Sequence, residues 1–188
     1  MNVAEVQRYA RQIALPEVGP DGQTRIGAAR VLVTGGGLVA ETAASYLTAA
    51  GIGQVIARAV PPADGGAWLE ALAEIDLVVR AGFDDDAMLG AARRLGLPVI
   101  VARATPVQVD VISFPRRAPA PDASLEVPAQ AAESSAPGAA DVVAGTLAAA
   151  EALVRLARVD GHVDGGRIRH LRLPLDGGAP LAQELGAS

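Results

Sequence analysis

The sequence predicts an α/β fold: a doubly wound, mostly parallel sheet with helices on both faces and an antiparallel C-terminal edge. Three observations carry that prediction. Short apolar, β-branched runs alternate with longer stretches of helical spacing, the order that builds βαβ units. The first such run, RVLVT (30–34), enters three glycines and then a helical pattern. The last run, RIRHLRLPL (167–175), alternates Arg or His with apolar residues, as a strand with one solvated face does.

Each element follows from local chemistry. Asn2 with Glu5 three residues on is a capping signal for a helix over residues 3–13, which ends before Pro16. GPDGQ (19–23) reads as a turn. After the strand at 30–34, residues 38–50 space small and apolar side chains helically, and Gly51 suits the left-handed position that ends a helix. A second strand is expected over 54–60, a loop over 61–66 and a short helix over 67–74. A third strand over 75–81 precedes a helix over 84–96, whose N-terminal Asp84–Asp86 and C-terminal Arg93 and Arg94 complement the helix dipole. The acidic triplet is therefore read as helix charging, and no metal site is expected. Strands over 98–102 and 107–114 follow. Residues 139–159 form a strong helical pattern with Val143, Leu147, Ala150 and Val154 along one face.

The 188 residues suit a single domain spanning 1–188. Within it the sequence divides into an N-terminal helical arm (1–29), a βαβ core (30–114), a Pro/Ala-rich crossover loop (115–137), a closing helix and edge strand (138–176) and a tail (177–188). Hydrophobic residues make up 51% of the chain and aromatics only 3%, so the core must be built from Ala, Val, Leu and Ile. No apolar run approaches the ~20 residues of a membrane helix, and the N-terminus lacks the order of a signal peptide; a soluble, cytoplasmic protein is expected. A net charge of −5 argues against a nucleic-acid partner. There is no Cys, which excludes disulfides, thiolate nucleophiles and cysteine-held zinc, and all 16 basic residues are Arg, which excludes any lysine chemistry. His162 and His170 are expected at the surface.

Gly35, Gly37 and Ala40 fit the G-x-G-x-x-G/A pattern of a Rossmann-like, nucleotide-binding turn. The first glycine permits the tight turn and the second lets backbone approach a phosphate. The small third residue lets the helix pack on the strand, and the helix N-terminus attracts an anion. Gly35, Gly36, Gly37 and Ala40 are thus candidate cofactor-binding residues; a tight βα turn without ligand is the other reading. A dinucleotide site also wants an acid at the end of the next strand. QVIARAV offers Arg58 there instead, either to accept a 2′-phosphate or as a solvated strand-end residue.

RYARQIALPEVGPDGQTRIGAARVLVTGGG resembles the opening of the ThiF/MoeB/HesA family, the enzymes that activate ubiquitin-like proteins. Arg8, Tyr9, Arg11, Gln12, Gly19, Gly22 and Gln23 fall where that family has them, and YLTAAGIGQVIA (46–57) continues the likeness. IDLVVRAGFDDD, RRLGLPVIVARATPVQVDVISF and GTLAAAEALVRL resemble its later strands and closing helix. The resemblance implies a domain that binds MgATP and adenylates the C-terminal carboxylate of a small ubiquitin-like sulfur carrier. It also implies a dimer in which Arg11 reaches the partner's triphosphate. The chain departs from the family pattern where chemistry is done. The ribose acid is replaced around Arg58, the phosphate Lys is absent, and Leu38 stands at the third loop glycine. The D-A-x-D-N segment reads RAGFD (80–84), with Phe83 at the magnesium Asp and Asp84 one residue on, a candidate to replace it only if the loop shifts. The resemblance therefore implies a shortened, degenerate member, non-catalytic or dependent on a partner. That partner is a second copy or a complete paralogue of the E1-like type. Two other readings stand beside it: an active ATP-dependent adenylyltransferase with altered residues, and an NADP- or other nucleotide-binding module using Gly35, Gly37 and Arg58.

Overall fold

A computed structural model describes residues 1–59, 64–82, 86–116, 138–158 and 168–185. Seven strands form one sheet in the order β2-β1-β3-β4-β5-β6-β7. β1 (Arg30–Thr34), β2 (Gln54–Arg58), β3 (Leu77–Ala81) and β4 (Val99–Thr105) run parallel. β5 (Gln108–Phe114), β6 (Ile168–Pro174) and β7 (Leu181–Leu185) continue antiparallel. The mixed, mostly parallel sheet is the one the sequence predicts, with a difference at its edge. β6 is flanked on both sides, and residues 181–185, expected in the tail, supply the last strand.

Helices cover both faces. α4 (Gly37–Ala49) and α7 (Ala139–Ala157) share one core with the side chains of Val31, Val33, Leu77, Val79 and Ile100. α5 (Gly65–Leu72) and α6 (Asp86–Arg94) share the other with Leu32, Val78, Val99 and Val101. The strict alternation of neighbouring residues between the two cores is the period-2 signature of strands buried on both faces.

The N-terminal arm is helical but not continuous. α1 (Val3–Arg8) is capped by Asn2 and Glu5 in the reciprocal pattern predicted, and then breaks at Tyr9 before α2 (Ala10–Ile13). The Tyr9 ring lies where a side chain on Gly51 would sit, 2.5 Å from an added Cβ, and Gly51 itself has φ +88°. The stretch expected as a turn, 19–23, is instead the first half of α3 (Gly19–Ala28). Pro20 at the start of a helix costs nothing, because that N–H has no intrahelical partner. Packing explains why the rest of the segment is helical. Gly22 abuts Ala157, the amide of Gln23 donates to the Ala50 carbonyl at 3.2 Å, and Nε of Arg25 donates to the Ala157 carbonyl at 2.9 Å. α3 is thereby seated on the ends of both α4 and α7.

α7 buries a different face from the one its larger residues suggested. Ala144, Gly145, Ala148, Ala149 and Ala152 are buried, while Val143 is exposed and Leu147 and Val154 are half-buried. The reason is distance. An added Cβ on Gly145 would lie 2.6 Å from the Val39 carbonyl oxygen and 2.8 Å from Cβ of Thr42. α4 and α7 approach too closely for anything but small residues at the crossing, so size overrides hydrophobicity in choosing the face.

The antiparallel half is tied together by one carboxylate. Asp110 on β5 is 2% exposed. Oδ1 faces Nε2 of His170 at 2.9 Å and accepts from Nε of Arg172 at 3.0 Å, both on β6. Oδ2 accepts from Gln108 at 2.6 Å and lies 3.6 Å from Nη2 of Arg103 on β4. His170, expected at the surface, is thus partly buried in this cluster. His162 lies outside the described residues. Burial alone would raise the Asp110 pKa. The hydrogen bonds from His170, Gln108 and Arg172 and the charge of Arg172 outweigh that and hold it well below the ordinary 3.8. No helix among the described residues is long and apolar enough to cross a membrane.

Two outcomes are expected. Gly145→Ala lowers stability by about 1–3 kcal/mol through overpacking of the α4–α7 crossing, read as a lowered urea midpoint, whereas Val143→Ala changes it little. Asp110→Asn leaves buried cations without their counter-charge and costs about 3–5 kcal/mol. Because the folded carboxyl pKa is depressed, its contribution is complete above the ordinary value of 3.8 and declines as pH falls below it. Urea midpoints of the wild type should therefore fall below about pH 4 more steeply than those of Asp110→Asn.

Candidate functional site

In an open α/β sheet, ligands bind outside the carboxyl ends of the strands, where the strand order reverses. Here that point lies between β1 and β3, since β1 is followed in sequence by β2 on its other side. The turn after β1 is Thr34–Gly35–Gly36–Gly37. Gly35 has φ +98°, and a Cβ on it would overlap the carbonyl oxygen of Ala81 at the end of β3. Its N–H donates to the Arg58 carbonyl at 3.2 Å. Gly35 is therefore demanded by packing of the turn against β3. Gly37 has φ +74° and open space around it. Gly36 has an ordinary extended φ of −118° and likewise nothing within 4 Å of an added Cβ. It is the N-cap of α4 and supplies no side chain to the first-turn N–H groups. The turn therefore offers uncapped backbone donors at a 13-residue helix N-terminus, with room for an acceptor beside them. Ala40 sits half-buried on the first turn and packs against the α4–α7 core, the role of the small third motif position.

The side chains around that turn are cationic. The parallel register pairs Thr34 with Arg58 on β2 and with Arg80 on β3, so the three residues form one row at the carboxyl end of the sheet. All three continue the strand positions of Leu32, Ile56 and Val78, and so belong to the α5/α6 face. Arg58 is exposed at the edge. Arg80 is half-buried, and its Nε is buried without a hydrogen-bond partner. Thr34 is fully buried, and its Oγ1 is unmatched as well. A third unmatched polar atom on this face is Nε1 of Trp68, a fully buried residue on α5. Gly82, with φ +90° and open space, follows β3 directly. The sequence singled out Arg58 but passed over Arg80 and Thr34; the signal available was the register, which places residue 80 beside 34.

Arg11 lies on α2, exposed and with no ion pair among the described residues. The structure does not bring it to the glycine turn of its own chain through any contact. Asp84 lies outside the described residues. Among the described residues no group of three or more His, Cys, Asp or Glu converges as a metal site would. The turn offers backbone donors and the row carries two arginines, a set suited to an anionic ligand.

A second concavity of ≈ 380 Å³ lies between α7 and the β5–β7 end of the sheet, lined by Val111, Leu147, Val154, Glu151, Arg169 and Ala182 among others. Its charges are satisfied within it: Nη1 of Arg169 donates to both carboxylate oxygens of Glu151 at 3.0 and 3.1 Å. The unmatched donors are all on the other face.

The ThiF family matches residues 9–57. Over 51 residues, 27% of this chain, the sequence is 49% identical to a sulfur carrier protein adenylyltransferase of Thermus thermophilus, covering 19% of that protein. Over 51 residues it is 51% identical to the adenylyltransferase and sulfurtransferase MOCS3 of Bos taurus, covering 11% of it. Over 56 residues it is 39% identical to the SAMP-activating enzyme E1 of Haloferax volcanii, covering 21%. The matched stretch thus spans only about a tenth to a fifth of these relatives. Solved structures match the fold over much more of the chain. PaaA superposes with a TM-score of 0.73 at 14% identity over 98% of this chain and 75% of its own. Escherichia coli MccB, in complex with MccA-N7isoASN, does so with a TM-score of 0.68 at 12% identity over 100% and 74%. Over residues 9–57 the sequence is thus similar to the ThiF family, of the E1-like ThiF/MoeB type.

Proposed function

We propose that this chain is a shortened, degenerate member of that family. It acts as a partner-dependent binding subunit in the activation of a sulfur-carrier or ubiquitin-like protein, and not as a self-sufficient adenylyltransferase. The observation that carries this reading is Arg80. It occupies the first position of the segment that resembles D-A-x-D-N, and the strand register sets it beside Thr34 at the carboxyl end of the sheet. A cation at that point opposes a magnesium ion. The chain also lacks any lysine to neutralise phosphates. Loss of one preorganised charge-stabilising group costs about 3 kcal/mol of transition-state stabilisation, or a factor of 10²–10³ in rate. Two such losses leave little of the chemical step.

The partner is a complete E1-like protein or a second copy of this chain, and the arm supplies the contact. α1 buries none of its residues, Val3 and Val6 are exposed, and Arg11 is free of ion pairs among the described residues. An exposed apolar arm that carries an unpaired guanidinium is suited to lie on another protein and present a charge to it. The protein delivered to the assembly is a small sulfur carrier, as the name of the Thermus relative suggests for that enzyme.

The expected result is that the chain alone, given ATP, Mg²⁺ and a sulfur carrier, shows no ATP–pyrophosphate exchange above background. Exchange at the rate of a complete family enzyme would overturn the reading. In a co-purified assembly with a complete enzyme, Arg11→Ala lowers that enzyme's adenylation at least tenfold and leaves this chain's melting temperature unchanged.

A further inference from the structure

At its antiparallel end the sheet outruns its helices. β5 is buried along almost its whole length, β6 is mostly half-buried, and residues 181–184 of β7 are exposed. β7 pairs with β6 alone, so among the described residues it is the edge of the sheet. The outward N–H and C=O groups of an edge strand have no partner and form a template for another strand. Two common protections are missing from this one. LAQEL (181–185) has no proline, and its register with β6 runs unbroken from Leu181 to Leu185, with no bulge to turn the edge away.

The side chains beside that edge are sorted into rows. The register sets Val111, Leu171 and Ala182 in one row and Ser113, Arg169 and Glu184 in the next. Both rows lie on the α7 side, the first continuing the apolar core and the second carrying charge. Above them is the concavity of ≈ 380 Å³, whose other wall includes Leu147, Ala150 and Val154. Those three belong to the stripe that the sequence sets along one face of α7. An apolar groove thus runs beside an open strand edge.

We propose that β7 and this groove form a docking site for an extended segment of another polypeptide. The segment adds antiparallel to β7, with a basic residue opposite Glu184 and an apolar residue opposite Ala182. The inference stands apart from the reading of the glycine turn and from the contact assigned to the arm. Three arguments fix the occupant. The first is backbone: the groups along the β7 edge are matched by an extended chain, whereas a helix spends its own N–H and C=O groups internally. The second is charge: Arg169 and Glu184 alternate in sign along their row, and a cation in the next place continues the alternation, as opposite charges directly across a sheet favour. The third is apolar area: a side chain opposite Ala182 extends the row of Val111 and Leu171 under α7 and removes that surface from water. Every strand from β4 to β7 is antiparallel to its neighbour, so the added strand continues the pattern. Read from its N-terminus, the segment is then basic–x–apolar–apolar, the last residue lying opposite the exposed Leu181. A second copy of β7 does not meet these demands. Paired antiparallel about Gln183, it sets Ala182 opposite Glu184 and brings no cation to either acid.

The experiment is fluorescence anisotropy of the full chain with a labelled peptide, Ser-Arg-Thr-Val-Val-Ser, and its analogues. The peptide is expected to bind, and the analogue with Glu in place of Arg at least fivefold more weakly. Glu184→Gln, at an exposed position, brings the two peptides within twofold of each other and leaves the melting temperature unchanged. Ala182→Asp, also exposed, weakens the parent peptide at least fivefold. Two further peptides, N-methylated at alternate residues in either frame, test the backbone. Strand addition uses the N–H groups of one frame only, so one of them binds and the other does not. No binding by the parent peptide up to about 1 mM overturns the site, and so does equal binding by the two N-methylated frames. An Arg preference that survives Glu184→Gln overturns the assigned pairing. A dimer of the chain alone that Ala182→Asp abolishes gives the edge to a second copy and overturns the proposal. None of these results bears on whether the chain catalyses pyrophosphate exchange.

Discussion

The turn after β1 lies so close to the end of β3 that no side chain fits between them. A Cβ on Gly35 would overlap the Ala81 carbonyl oxygen, and the backbone there is in the left-handed region that glycine alone adopts cheaply. Much follows from this contact. It fixes where α4 begins, and hence the direction of its uncapped N–H groups. It also draws β1 and β3 into a register that sets Thr34 beside Arg80. On the opposite edge the Gly35 N–H holds the Arg58 carbonyl, so the head of β2 is tied to the same point. The candidate site is the consequence of one glycine packed against one carbonyl.

A second close approach sets the rest of the core. α4 and α7 cross over Gly145, and α3 is seated on the far ends of both by Gly22, Gln23 and Arg25. With few aromatics to fill space, this chain builds its core by bringing backbones together rather than by inserting large side chains. The alanines of α7 are the visible result.

That strategy decides what could be read from the sequence. Strand–glycine–helix order, the alternation of elements and the antiparallel end were legible because they depend on local periodicity. The buried face of α7 was not, because hydrophobicity pointed to Val143 while interhelical distance selected Ala144 and Gly145. The segment at 19–23 looked like a turn because Gly, Pro and Asp dominate it; its helicity comes from contacts with residues 50 and 157, which no window of sequence contains. His170 seemed solvated because the strand at 181–185, which makes β6 an interior strand, carries too weak a pattern to be seen. At the site, Arg58 was legible as a strand-end residue. Arg80 was not, since its meaning comes from register across three strands.

The motif residues themselves divide by cause. Gly22 and Gly35 are each held by a close packing contact within this chain, so their presence reports the fold and says nothing of a ligand. Gly36 is different. Its backbone angle is ordinary and a side chain there would meet nothing, so neither strain nor space requires a glycine. The same holds in another form for Arg80 and Thr34: each carries a buried polar atom that the fold leaves unmatched. A chain under pressure only to fold would gain by replacing them, because an unpaired buried donor is a cost with no structural return. Gly36, Arg80 and Thr34 thus border one turn, and packing among the described residues gives no reason for any of the three.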